Sequence, residues 1–141
     1  MTSTTIQKTV FFNAKPEVVW SFLTDKDKLG TWYHPARKNL AEGEEYELIE
    51  ISDDGAEKSI ITGKVLEMDS PHKLVTTFVI GPFGGNSTTL TWVLEAFADG
   101  TRLSLKHEGI SEAVGEGAIG LLMALDKGWD EHFTTLRASV A

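Results

Sequence analysis

Two runs near the C-terminal end alternate with a period of two: Leu90, Trp92 and Leu94 against Thr91, Val93 and Glu95, then Leu103, Leu105 and His107 against Arg102, Ser104, Lys106 and Glu108. That period belongs to strands with one face covered and one in water, and a turn as short as Asp99-Gly100 joins antiparallel neighbours. A covered face needs a cover from elsewhere in the chain. It is predicted over 118–138, where Leu122, Leu125, Trp129, Phe133, Leu136 and Val140 recur at spacings of three and four. Asp126, Asp130, Glu131 and Arg137 fall on the other side of that helix, towards water.

The rest of the chain fits the same plan. Turn signals at Asp53-Asp54-Gly55, Ser70-Pro71, 81–85 and Asp99-Gly100 divide 44–108 into five strands in sequential hairpins. Residues 4–12, rich in β-branched and aromatic types, predict a sixth strand at the start. Pro16 and Glu17 open a short helix over 16–23, and Asp25 offers capping oxygens to another over 26–30. The segment Trp32-Tyr33-His34-Pro35 then reads as an aromatic loop, and 109–117 as a loop without a period. The expected class is α+β: an antiparallel six-stranded sheet curved around a long C-terminal helix, with two short helices after the first strand. A length of 141 residues suits one domain over 1–141.

Composition narrows the partners. With 13 Lys and Arg against 21 Asp and Glu, a net charge of −8 repels phosphate backbones, so nucleic acid is not an expected partner. No cysteine is present, which removes disulfides and thiolate metal ligands. The N-terminus lacks a signal-peptide-like apolar stretch, and the longest apolar run, 118–125, is far short of the ~20 residues of a membrane span. A cytoplasmic location without membrane insertion is the expectation.

Several local patterns, taken in order, resemble one family. They are Ala14-Lys15-Pro16-Glu17-Val18-Val19-Trp20, Leu29, Trp32-Tyr33, Gly63-Lys64-Val65 leading to Asp69-Ser70-Pro71, Gly100-Thr101-Arg102-Leu103, His107-Glu108-Gly109 and Gly128-Trp129. The chain is similar over nearly its whole length to the activator-of-Hsp90-ATPase homologue family, within the START and birch-pollen-allergen (SRPBCC) superfamily. The resemblance implies a helix-grip fold with an apolar cavity between sheet and long helix, used in the superfamily for hydrophobic small molecules. Proteins of the family that stimulate the chaperone carry an additional N-terminal docking domain, which these residues do not supply, so an Hsp90-type chaperone is not the expected partner.

The inward positions expected to bind a ligand are Trp32, Tyr33, Phe78, Trp92, Leu94, Leu105, His107, Leu122, Leu125, Trp129 and Phe133; the alternative for each is plain core packing. His107, on the covered face, is the candidate general base, with Tyr33 as a second proton-moving group. The alternative is a histidine bonded to Tyr33 or to a backbone carbonyl. His34, His72, His107 and His132 lie on four different elements with no i, i+4 pair, so no metal site is expected, nor any other cofactor. Glu67, Glu95 and Glu108 alternate outward, which leaves no evident carboxylate pair. Residues 81–85 lack the lysine of a phosphate loop and read as a hairpin loop with Phe83 at its tip, a possible flap over the pocket.

Three functions follow. One is binding of a small hydrophobic ligand, which needs only a pocket; another is a cyclase- or dehydratase-type enzyme, which needs a group with a shifted pKa; the third is an Hsp90-linked module, which needs an exposed contact patch. A homodimer is compatible with each.

Overall fold

The computed structural model describes residues 5–115 and 117–140. Strands β1 (Ile6–Phe12), β2 (Glu45–Ile51), β3 (Glu57–Asp69), β4 (Lys73–Phe78), β5 (Thr88–Phe97) and β6 (Gly100–Glu108) form one antiparallel sheet in the order β1-β6-β5-β4-β3-β2. The five later strands are a meander of hairpins, and β1 adds beside β6 with Val10 opposite Leu103. Helices α1 (Pro16–Thr24) and α2 (Lys26–Trp32) follow β1, and α4 (Ala118–Val140) closes the chain. Thr4, at the start of the predicted first strand, lies outside the described residues.

Alternation places the core as expected on β5 and β6. Leu90, Trp92 and Leu94 are buried, as are Leu103, Leu105 and His107, while Arg102, Lys106 and Glu108 stand in water. On α4 the buried stripe is Trp129, Phe133 and Leu136, flanked by half-buried Leu122, Leu125 and Val140. Its outer face is tied to the sheet edge by Lys8, whose Nζ lies 2.8 Å from Asp126 and 3.0 Å from Asp130, one helical turn apart.

The second short helix starts at the cap the sequence offers. The Asp25 side chain accepts from the backbone N–H groups of Asp27 and Lys28, satisfying two donors that α2 leaves unpaired. Helix α2 runs two residues beyond the predicted 26–30, because Trp32 has a core to enter and its Nε1 donates to the Phe22 carbonyl at 2.8 Å.

Two expectations are corrected. Within 109–117, read as a loop, the chain forms a further helix, α3 (Ile110–Val114); a single turn is too short to show a period, and Ile110, fully buried, is what holds it. Gly109 enters it with φ +89°, a conformation that costs glycine little. Residue 116 lies outside the described residues. Phe83 is not at an exposed tip: the turn Gly81–Phe83 tucks its ring inward, 1 % exposed, against Phe78 and His107, because an aromatic side chain gains more from burial than the loop loses by folding in.

Candidate functional site

Six of the predicted inward residues form one continuous aromatic cluster. The Trp32 ring meets Tyr33 at 5.2 Å, Trp92 at 6.3 Å and Phe133 at 6.4 Å between centroids, and Trp129 meets Tyr33, Trp92 and Phe133 at 5.5, 5.7 and 5.8 Å. Phe78 joins through Trp129 at 6.3 Å. Much of the space between sheet and α4 is thus filled by rings in edge-to-face and stacked contact. Leu94 and Leu105 are buried in the sheet's covered face, and Leu122 and Leu125 lie half-buried on the N-terminal half of α4.

His107 sits fully buried within this packing. Indole Nε1 of Trp129 donates to His107 Nδ1 at 3.2 Å; since an indole N–H can only donate, Nδ1 is the acceptor and Nε2 carries the proton. Nε2 then donates to Thr88 Oγ1 at 2.8 Å, and the threonine hydroxyl donates to the Phe78 carbonyl at 2.9 Å. The chain of bonds leaves neither ring nitrogen free. Burial holds the imidazole pKa down at about 4, so it is neutral at physiological pH. The partners are Thr88 and Trp129, and Tyr33 is not among them.

A cavity of about 30 Å³ lies beside this saturated end. Its walls come from α1 and α2 (Leu23, Leu29, Trp32), from the segment after α2 (Tyr33, Leu40) and from β2, β4 and β5 (Tyr46, Leu48, Leu74, Thr76, Phe78, Leu90, Trp92). Trp32, Tyr33, Phe78 and Trp92 are the predicted site residues that line it. Leu94, Leu105, His107, Leu122, Leu125, Trp129 and Phe133 stand outside its lining, so among the described residues α4 supplies none of its walls.

Three hydroxyls supply the polar character of the wall. Tyr46 Oη donates to the Thr77 carbonyl at 2.5 Å and lies 3.5 Å from Thr76 Oγ1. Burial pushes the Tyr46 pKa up to about 12, the Thr76 bond acting the other way. Tyr33 is likewise raised by burial, and further by Tyr46. Both phenols therefore keep their protons at neutral pH. The Tyr33 hydroxyl makes no hydrogen bond to a described residue.

Tyr46 and Thr76 are the polar lining residues that sequence reasoning missed. A signal existed for the first: Tyr46 and Leu48 alternate with Glu45 and Glu47, which puts both on the covered face. Tyr46 also needs Gly63 opposite it. A Cβ there would stand 2.2 Å from the Thr77 carbonyl oxygen and 2.6 Å from the tyrosine ring.

At the outer rim, Tyr33 lies between His34 and His132, with ring centroids 4.7 and 4.5 Å away. Both imidazoles are half-buried with lowered pKa values, mainly through burial; for His34 the nearby His132 adds to this. His72 is in the exposed turn between β3 and β4. Among the described residues no three His, Asp or Glu side chains group as a metal site would require. No helix among them is long and apolar enough to cross a membrane.

The family model of activator of Hsp90 ATPase homolog 1-like proteins matches residues 13–141. No curated protein matches the sequence. Among solved structures, CalU16 from Micromonospora echinospora is 22 % identical with a TM-score of 0.75, over 97 % of this chain and 76 % of that one. CV1439 from Chromobacterium violaceum is 21 % identical with a TM-score of 0.78, covering 97 % and 96 %. DynU16, a protein of the dynemicin biosynthetic locus, is 17 % identical with a TM-score of 0.77; the match covers 97 % of this chain and 47 % of that chain. At these identities the likeness is one of fold.

Proposed function

The chain belongs to the activator of Hsp90 ATPase homolog 1-like family, and from that premise we propose that it binds a small hydrophobic molecule in the cavity beneath α2 and the segment that follows it. The helix-grip fold is compatible with such binding. The observation that carries the reading is the wall itself: apolar and aromatic side chains with three hydroxyls and no ionisable carboxylate or amine, the composition of sites that take up uncharged organic ligands.

The volume sets a condition. About 30 Å³ holds about two waters, so a ligand of more than a few atoms enters only if a wall yields. The segment 33–44 is the one wall outside a helix or named strand. Backbone bonds tie it to its neighbours, among them Arg37 N–H to the Glu47 carbonyl, Ile49 N–H to the Pro35 carbonyl, Leu40 N–H to Thr24 and Gly43 N–H to Val65, so its opening must break some of these. Opening it exposes Leu40 and Tyr33, both already half-buried.

Binding without chemistry is favoured over proton transfer by the state of the two candidate groups. His107 has both nitrogens engaged and lies outside the cavity lining, and the Tyr33 phenol holds its proton too firmly to act as a base near neutrality. Native mass spectrometry of the protein purified from its own cells tests the reading. A discrete extra mass lost on denaturation is the expected result; bare protein, together with no binding from a panel of small apolar molecules, would sink it.

A further inference from the structure

The two edges of the sheet end differently. Along β2 the segment after α2 closes the edge: Ala36 bridges Leu48, Arg37 N–H donates to the Glu47 carbonyl, and Ile49 N–H donates to that of Pro35. Strand β1 has β6 on one side, and on its other side no backbone bond joins residues 6–12 to a described residue. Unpaired N–H and C=O groups along such an edge are a template for another strand. Lys8, the charge on this strand, pairs with Leu105 on the covered side, and Asp126 and Asp130 hold its Nζ, so its charge is answered within the chain.

Exposed apolar side chains flank that edge on both sides. On the outer face Phe11, 52 % exposed, meets Phe97, 65 % exposed, with ring centroids 6.1 Å apart. On the inner side, the face of α4 that carries Asp126 and Asp130 towards β1 also carries Ile119 and Met123, 69 % and 66 % exposed. The three most exposed large hydrophobic side chains among the described residues are in this set of four. At roughly 100 Å² each, the four leave about 400 Å² of apolar surface in water. With a seven-residue strand beside them, the patch approaches the ~800 Å² per partner of a stable interface.

We infer that β1 is the interface of a homodimer, in which two copies pair antiparallel through this edge and join their six-stranded sheets into one. The strand is self-complementary about Thr9. A two-fold axis there sets Thr9 against Thr9, Lys8 against Val10, Gln7 against Phe11 and Ile6 against Phe12, so no like charges are opposed. An axis through Lys8 would instead oppose two lysines. In the Thr9 register the α4 flank of each copy, with Ile119 and Met123, borders the other copy. No β1 residue lines the cavity, so this pairing stands apart from the ligand reading.

Sedimentation equilibrium of the full chain tests it, at about 100 μM and in physiological salt, which screens the repulsion between two copies at −8. Twice the chain mass is the expected result. Thr9→Lys, at an exposed position, sets two cations face to face and should weaken association by about tenfold or more, whereas Thr62→Lys, exposed on β3, should leave it within about twofold. Mixing Thr9→Lys with Thr9→Glu should restore a dimer, which separates a blocked interface from a lost fold. A monomeric wild-type chain would overturn the inference and leave the edge to an extended segment of another protein. A dimer that Thr9→Lys leaves intact, or a mixture of the two charged variants that stays monomeric, would overturn it as well.

Discussion

The covered face of the sheet has two ends that differ in how completely they are filled. Around His107 every polar atom has a partner: Trp129 donates to the imidazole, the imidazole to Thr88, and Thr88 to the backbone of Phe78, with the Phe78 and Phe83 rings against the imidazole. Around Tyr33 and Tyr46 the side chains border a small cavity instead of filling the space. The first end has the signature of a structural anchor, where any loss is paid in stability; the second is free to respond to a ligand. A histidine on a covered face attracts functional interest, yet here the partners fully occupy it.

The largest expected effect comes from breaking the saturated end. His107→Ala leaves the Trp129 N–H without its acceptor and opens a void in a packed region, for a loss of about 3 to 5 kcal/mol in chemical denaturation. A change below about 1 kcal/mol would mean that the network is not the anchor described.

Acid should act on the same end. The folded imidazole has a pKa of about 4, against 6.5 for the ordinary group, so between these values the unfolded chain binds the extra proton. Stability from this source is complete above about pH 6.5 and declines as the pH falls towards 4; the gap corresponds to about 3 kcal/mol. His34 and His132, also lowered by burial, act in the same direction. Comparing denaturation curves from pH 7 to 4 with those of His107→Gln separates them, because glutamine keeps a donor and an acceptor but does not titrate. The variant should show the shallower slope, and equal slopes would remove His107 from the account.

At the open end, Gly63→Ala should cost about 2 kcal/mol, since the new methyl would meet the Thr77 carbonyl and the Tyr46 ring at distances no packing accepts. Displacement of Tyr46 should also alter binding of apolar probes, which His107→Gln should leave unchanged. The smallest effect belongs to Lys8→Met. Asp126 and Asp130 are largely in water, so the clamp on α4 contributes under about 1 kcal/mol, and that contribution should shrink in high salt.

How much of this was legible in the sequence depends on how local the cause is. The caps at Asp25, the Pro16 start, the alternation of β5 and β6 and the stripe on α4 are all properties of neighbouring residues, and each can be read from the chain because side-chain direction follows the backbone period. Helix α3 was missed because five residues are too few for a period, and the inward turn of Phe83 because its partners lie in other elements.

The candidate site divides along the same line. That Trp92 faces inward follows from the alternation of β5, and Trp32, Tyr33 and Phe78 are expected inward as large apolar side chains. That they border a cavity while Trp129 and Phe133 fill space beside it depends on where α2 and α4 come to rest on the sheet, a matter of packing between segments a hundred residues apart. The sequence by itself determined the six strands, the two short helices after β1, the long C-terminal helix with its covered stripe, and the family resemblance. Only the tertiary structure decided that His107 is saturated by Trp129 and Thr88 and that a small cavity lies beside it, because hydrogen-bond partners and packing gaps are properties of neighbours in space and leave no period in the chain.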